Sequence, residues 1–184
     1  MLYHPSLFLT QLVVGLGLLI AHAWALAQGR SLVTPLKKFP RSRAWGFILL
    51  TVAAVWSLWL MITMDLGEFT SKRPILIAIV PVAYLLTLFF VEEFLAVRAL
   101  GMVSLLVSCI VLDAAYLHAD PLRLPLVVLA YVWIVSALFM VGKPYLLRDA
   151  INWVTEKTSR LRLASVAGIV FGVLLIGIAL ARFR

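Results

Sequence analysis

This sequence has few acidic residues and a single cysteine. Aspartate and glutamate together number 8 of 184 residues, against 16 lysines and arginines, so the formal net charge is +8. Only 13% of the residues are charged and 64% are hydrophobic, whereas a soluble globular domain has about 25% charged and about 45–50% apolar residues. Polar side chains are too few to cover the apolar surface of such a chain. The composition therefore excludes a soluble domain and indicates a protein whose solvent is lipid.

The sequence also lacks the motifs that mark common catalytic and metal sites. Because Cys109 is the only cysteine, no intrachain disulfide can form, and its place inside an apolar run favours a buried, unreactive thiol. No HExxH or CxxC metal spacing occurs, and no P-loop, GxGxxG or GxSxG motif. His22 and His118 lie at opposite depths in the predicted helices, which does not suit two axial ligands of one haem. We therefore predict no catalytic residue, no metal and no cofactor, and we favour a protein that is not an enzyme.

Six apolar segments are long enough to cross a bilayer as helices, for which about 20 residues suffice. They run from about 6 to 28, 45 to 64, 75 to 91, 97 to 117, 124 to 141 and 163 to 181. Before the last of them, Leu147, Ile151 and Val154 form an apolar stripe at helical spacing, which predicts an amphipathic helix near 144–158. The expected fold is an all-α polytopic membrane protein, in which a bundle of six transmembrane helices and this surface helix form one domain, 1–184.

The distribution of basic residues predicts the orientation in the membrane. The links that follow the first, third and fifth segments share one side and hold eleven of the sixteen lysines and arginines. Loops rich in these residues remain in the cytoplasm, so this side and the surface helix are predicted to be cytoplasmic. Both termini would then be periplasmic in a bacterial inner membrane. The basic side would attract anionic lipid headgroups, and nucleic acid is an improbable partner because the basic stretches are short and lie between membrane segments.

Two clusters of acid and base interrupt the apolar chain at the predicted cytoplasmic helix ends. Their candidate site residues are Glu92, Glu93, Arg98, Arg148 and Asp149. Charge near hydrocarbon depth is costly, so it marks a turn at the surface or a working site. We expect Glu92 and Glu93 in the first turn of the fourth helix, where the helix dipole favours acids. Pairing of either glutamate with Arg148, and of Arg98 with Asp149, would tie the helix ends together, and contact with a headgroup or a partner is the alternative.

A weak internal repeat relates the two clusters. When Pro74 is aligned with Pro125, the segments that follow lie over each other without gaps, and the two charged clusters coincide. The alignment suggests a parallel repeat of helical hairpins over 74–118 and 125–181. Exact identities are few, and the apolar background inflates the match.

Small residues recur at helix-packing spacing on the fourth and sixth helices, where they allow close approach of another helix. The candidate packing residues are Gly101, Ser104, Ser108, Gly168 and Gly172. Packing within one bundle is the simpler interpretation, and a surface for a partner chain is the alternative.

Asp113 is the candidate buried acid, about one and a half turns from the outer end of the fourth helix. A carboxylate at that depth faces the bundle and needs a partner. Arg73, Arg123 and Lys72 lie in neighbouring outer links and could reach it. A structural ion pair is the simpler interpretation, and an outer pocket or proton site is the functional alternative.

The favoured hypothesis is therefore a non-enzymatic accessory or scaffold subunit of a membrane assembly. It would contact membrane lipids and either a membrane protein partner or further copies of itself. The alternatives are a small solute or ion transporter or channel with Asp113 in its pathway, and a lipid-acting membrane enzyme.

Overall fold

The computed structural model describes residues 3, 5–91 and 93–182, and all regular secondary structure among them is helical. The helices are α1 Leu7–Gln28, α2 Val33–Lys38, α3 Arg43–Thr63, α4 Arg73–Phe90, α5 Leu95–Ala115, α6 Leu124–Gly142, α7 Tyr145–Glu156 and α8 Thr158–Arg182. Six helical stretches, which contain α1, α3, α4, α5, α6 and α8, are long and apolar enough to cross a membrane. The predicted all-α membrane bundle of six transmembrane helices is confirmed.

The surface helix expected near 144–158 is α7. Its apolar stripe of Leu147, Ile151 and Val154 is half-buried, whereas Asn152 on the polar side is exposed. The helix packs against α8, α2 and α6. It is therefore an amphipathic helix that covers helix ends at one end of the bundle.

Four of the six spans share the main core. Buried side chains from α1, α5, α6 and α8 meet there, and they include Leu7, Val111, Leu126 and Leu175. Of all the spans, α5 is the most buried, because it packs against α6 on one side and α3 on another. The remaining span, α4, has α3 as its main neighbour and lies at the edge of the bundle.

Glycines allow α1 and α8 to form the most extensive helix pair of the chain. A Cβ atom on Gly172 would lie 2.8 Å from the carbonyl oxygen of Gly15, and one on Gly15 would lie 2.9 Å from the carbonyl oxygen of Gly172. A Cβ atom on Gly168 would overlap the imidazole ring of His22. At Gly15 and Gly172 any side chain larger than hydrogen would force the two helices apart, whereas at Gly168 it would require the His22 side chain to move.

The link between α4 and α5 is a tight reversal. Phe94 has a positive φ of 56°, which is rare for a bulky residue, and α5 begins at the next residue, Leu95. The prediction that Glu93 lies in the first turn of this helix is therefore wrong. Glu93 stands in the turn before the helix because the chain changes direction at Phe94, and Glu92 lies outside the described residues.

Cys109 is exposed on α5, so the expectation of a buried thiol is wrong. An apolar run at membrane depth does not distinguish a residue that faces the core from one that faces lipid. The preceding residue, Ser108, is fully buried.

The two segments of the suggested hairpin repeat begin alike and then differ. Pro74 and Pro125 are each the second residue of a span, α4 and α6. Leu95, however, starts the span α5, whereas Leu146, its counterpart in the alignment, belongs to the surface helix α7. The duplication stays a prediction.

Candidate functional site: the charged helix ends

Both charged clusters lie at the end of the bundle that carries α7, which we call the α7 end. There α4 stops, α5 starts, α6 stops and α7 follows. The opposite end, which we call the terminal end, carries the start of α1, the end of α5 and the start of α6. The described members of the two clusters are therefore at one level of the bundle.

Arg98 holds the end of a neighbouring helix. Its Nη1 donates a hydrogen bond of 3.0 Å to the carbonyl oxygen of Val141, in the last turn of α6. The Nε atom of Arg98 is buried and has no hydrogen-bond partner among the described residues. Nη1 of the guanidinium is thus used for structure, whereas Nε has no partner in the described part of the chain.

Arg148 pairs with its chain neighbour and contacts the other cluster through an aromatic ring. Its guanidinium lies 2.8 Å from Oδ1 of Asp149 and 5.8 Å from the ring centroid of Phe94, a cation–π arrangement. The predicted pair of Arg98 with Asp149 is not formed, because Arg98 donates to the carbonyl oxygen of Val141 on α6 and Asp149 pairs with its chain neighbour Arg148. Among the described residues the two clusters meet through Phe94 and Val141 rather than through cross-paired charges.

Asp113 has a backbone partner at the terminal end. Its Oδ2 accepts a hydrogen bond of 3.2 Å from the backbone N–H of Tyr3, whose hydroxyl in turn accepts one of 2.6 Å from Nε1 of Trp56. The two arginines expected to reach Asp113 are bound elsewhere: Arg123 donates to the carbonyl oxygen of Ala115 at 2.8 Å, and Arg73 donates to the end of α3. Asp113 therefore fixes the segment that leads into α1.

Arg73 binds the end of α3 in the same manner. Its Nη1 donates to the carbonyl oxygen of Ile62 at 3.1 Å, and its Nη2 donates to that of Met64 at 2.7 Å. A fourth arginine, Arg160 near the start of α8, donates to the carbonyl oxygen of Trp153 in α7 at 3.1 Å and stacks on its ring at 4.4 Å.

Four arginines thus share one role, which is to close the carboxyl end of a helix from the start of another. They are Arg73, Arg98, Arg123 and Arg160, and they bind the ends of α3, α6, α5 and α7. The last four carbonyl groups of a helix have no partner inside the helix, and the carboxyl end carries a partial negative charge. A cation there is favourable, the more so near hydrocarbon where water is scarce. The sequence carries the signal, an arginine at or next to the first turn of a helix after a short link, but its partner cannot be read from the sequence.

The predicted packing residues lie inside the chain. A Cβ atom on Gly101 would be 2.9 Å from the carbonyl oxygen of Ala137 in α6, and Gly168 and Gly172 face α1 as described above. The hydroxyl of Ser108 donates to the carbonyl oxygen of Ser104 at 2.8 Å within α5. The three glycines therefore pack helices of the same chain against each other, and the Ser108 hydroxyl is bound within its own helix.

Two cavities that were not expected from the sequence lie along α4. One, of about 370 Å³, is an apolar groove between α3, α4 and α5, where Thr87 of α4 stands opposite Met102 and Leu105 of α5. The other, of about 490 Å³, lies at the α7 end and is lined in part by Glu93 and Arg98. The groove arises because α4 packs on α3 and leaves a gap beside α5.

Among the described residues, no group of three or more histidine, cysteine, aspartate or glutamate side chains could hold a metal ion. No family model, no curated protein and no solved structure matches this chain. The structure shows a helical protein with six helical stretches that are long and apolar enough to cross a membrane.

Proposed function

We propose that this chain is a non-enzymatic accessory or scaffold subunit of a membrane assembly and that α4 is its contact with a partner. The observation that carries the proposal is the position of α4 at the edge of the bundle. None of its residues is buried, whereas every other span has buried positions. Along its outer side Val82 and Leu86 are each at least half exposed.

The polar side chains of the bundle support this proposal through the partners they have. The capping arginines, Asp113 and Gln11 all bind backbone groups of their own chain; Gln11, for example, donates to the carbonyl oxygen of Leu122 at 3.1 Å. These groups hold the body together, so their presence in the membrane does not require a transport path or a reaction. A rigid body with one thinly packed edge helix suits a subunit that acts through contact.

Cross-linking in the native membrane tests the proposal. A photo-reactive amino acid would replace Val82 or Leu86 on α4, and as matched controls Val135 on α6 or Val170 on α8, which are similarly exposed. We expect one protein adduct of discrete mass from both α4 positions and none from the controls. An adduct of twice the chain mass would indicate a homo-oligomer and any other mass a different subunit. Lipid adducts alone at all four positions would contradict the proposal.

We further propose that the chain lies in a bacterial inner membrane with the α7 end cytoplasmic and both termini periplasmic. Exposed basic side chains at the α7 end, Lys37, Lys38 and Arg41 among them, support this orientation and suit anionic headgroups. The single cysteine simplifies the test. In a Cys109→Ala background, cysteine at Lys38 is expected to resist a membrane-impermeant maleimide added to spheroplasts, and cysteine at Lys72 to react. The reverse pattern would contradict this orientation.

A further inference from the structure

We infer that the gap beside α4 is a binding site for one phospholipid whose headgroup carries both a phosphate and a primary ammonium group, with Arg98 and Glu93 as the headgroup ligands. The inference goes beyond the proposed function, since a lipid between α4 and α5 leaves the outer side of α4 free for a partner.

The cation of the site has an unused edge of the right shape. Nη1 of Arg98 is bound to Val141, which leaves Nε and Nη2, the two nitrogens that face the same edge of the planar guanidinium. Nε is without a hydrogen-bond partner among the described residues, and a buried guanidinium nitrogen in that condition is costly. Two parallel N–H donors match two oxygens of a phosphate, and because Nε is closed to solvent in this structure, the phosphate would reach it after a rotation of the side chain.

The acid of the site selects the other half of the headgroup. Glu93 is exposed and lines the same cavity as Arg98, and no ion pair joins the two among the described residues. A purely anionic headgroup would be repelled by this carboxylate. A headgroup with a phosphate for Arg98 and an ammonium group for Glu93 satisfies both side chains.

The depth of the cavity fits a headgroup. It lies where α4 ends and α5 begins, at the same end as Trp45 in the first turn of α3 and Trp153 of α7, both more than half exposed. Tryptophan gathers at the boundary between headgroups and hydrocarbon. The two side chains are therefore at the level where phosphate and ammonium groups of a membrane lie.

The apolar groove is a separate cavity from the headgroup cavity, with no lining residue in common, and it follows the headgroup cavity along the same two helices, α4 and α5. On α5, Met102 and Leu105 follow Arg98 at spacings of four and seven, so the three share one face. On α4, Thr87 in the groove precedes Val91 in the headgroup cavity by one turn. From Arg98 to Leu105 the path is about 10 Å, at about 1.5 Å per residue, which remains within one leaflet of a hydrocarbon core about 30 Å thick.

An acyl chain suits this groove better than a protein helix. A helix is about 10–12 Å across, so a length of about 10 Å occupies roughly 800 Å³, which is more than the gap of about 370 Å³, and a helix would have to continue through both leaflets. Two of the three hydroxyls along the groove are already bound: Thr87 donates to the carbonyl oxygen of Ala83 at 2.7 Å, and the Tyr84 hydroxyl lies 3.0 Å from that of Thr51. The groove thus offers mainly hydrocarbon to its occupant.

Native mass spectrometry of the full-length protein tests the inference. The protein would be released from detergent micelles that contain equal amounts of phosphatidylethanolamine, phosphatidylcholine and phosphatidylglycerol. We expect one retained lipid, with phosphatidylethanolamine favoured about tenfold or more, since each charge-assisted hydrogen bond to the headgroup contributes on that scale. Phosphatidylcholine has no ammonium N–H to donate, and phosphatidylglycerol has no ammonium group. Equal retention of the three lipids would overturn the inference, as would retention of inorganic phosphate in place of lipid.

Variants separate the headgroup from the groove. Glu93→Gln, at an exposed position, is expected to abolish most of the preference for phosphatidylethanolamine, and Ala83→Leu, which narrows the groove, to reduce retention of all three lipids. Arg98→Gln should lose lipid as well, but it also removes the bond to Val141, so the other two variants decide if it fails to fold. Lys143→Gln removes an exposed charge at the same end and should leave the preference unchanged. A preference that survives Glu93→Gln would overturn the assignment of the ammonium group.

Discussion

The contact between α1 and α8 can be tested with two alanine substitutions on one helix. Gly172 faces the backbone of α1, and a Cβ atom there would lie 2.8 Å from the carbonyl oxygen of Gly15 and 2.9 Å from the backbone nitrogen of Leu19. Both atoms belong to the backbone, so neither can rotate away. Gly177 lies on the same helix, and a Cβ atom there would meet no atom within 4 Å. The two variants therefore differ in steric conflict while they share the chemical change.

The expected magnitude follows from that difference. Replacing glycine by alanine inside a helix gains about 1 kcal/mol of helix propensity in water, and this gain applies to both variants alike. Gly172→Ala adds an overpacking cost of about 1–3 kcal/mol, because the two helices must separate until the new methyl group reaches an ordinary contact distance. We expect Gly172→Ala to be less stable than Gly177→Ala by about that amount, which for a chain of this length is roughly 2–4 °C per kcal/mol.

Thermal unfolding in one detergent, followed by size-exclusion chromatography of heated samples, measures this difference. Gly177→Ala should melt at or slightly above the temperature of the unchanged protein, and Gly172→Ala clearly below it. Gly15→Ala, the reciprocal substitution on α1, should behave like Gly172→Ala. If Gly172→Ala and Gly177→Ala melt together, the close approach of the two helices is refuted.

Three further predictions concern the other contacts. Gly168→Ala should lower the melting temperature because its methyl group would overlap the imidazole of His22, and the double variant with His22→Ala should recover part of the loss; additive losses would refute the contact. Arg123→Met should lower the free energy of unfolding by about 1–3 kcal/mol, because a buried carbonyl group loses its donor. Arg162→Met, at an exposed position, should lower it by less than about 0.5 kcal/mol. Equal losses of stability would mean that the bond from Arg123 to the end of α5 contributes nothing. Asp113→Asn should keep an acceptor for the N–H of Tyr3 and leave stability nearly unchanged, and ion flux in liposomes should not depend on it; a change in flux would favour the transporter alternative.

The sequence was sufficient for the spans and insufficient for their neighbours. Hydropathy set the ends of α1 and α6 within a residue or two, because about 20 apolar residues and a following break are a local property. Which helix lies beside which is not local. The exposure of Cys109 and the edge position of α4 depend on the face each helix turns to its neighbours, and a nearly uniform apolar surface hides that face.

The charged site shows the same division between local and long-range information. Apolar background made charge conspicuous, so Arg98 and Asp113 could be selected from the sequence. The partners of Arg98 and Asp113 could not be predicted, because each side chain binds a backbone carbonyl or N–H group. Almost every residue carries these groups, so the sequence does not single out a partner. A sequence displays the ionised side chains and therefore suggests ion pairs between them. The ends of helices carry partial charges on backbone groups, and these charges are not visible in a sequence.

The capping role of the arginines also bears on the orientation of the chain. Among the described residues, two of the eleven basic residues at the α7 end are bound to helix ends, as are two of the five on the other side, of which Arg184 lies outside the described residues. An arginine that binds the carboxyl end of a helix is needed wherever that helix ends, on either side of the membrane. Its position therefore says little about which side is cytoplasmic. Setting these four aside leaves nine basic residues at the α7 end against three on the other side, a stronger bias than the full count. The proposed orientation therefore depends on the lysines and arginines that do not close a helix end, and exposed ones such as Lys37 and Lys38 of α2 can be attracted by the membrane.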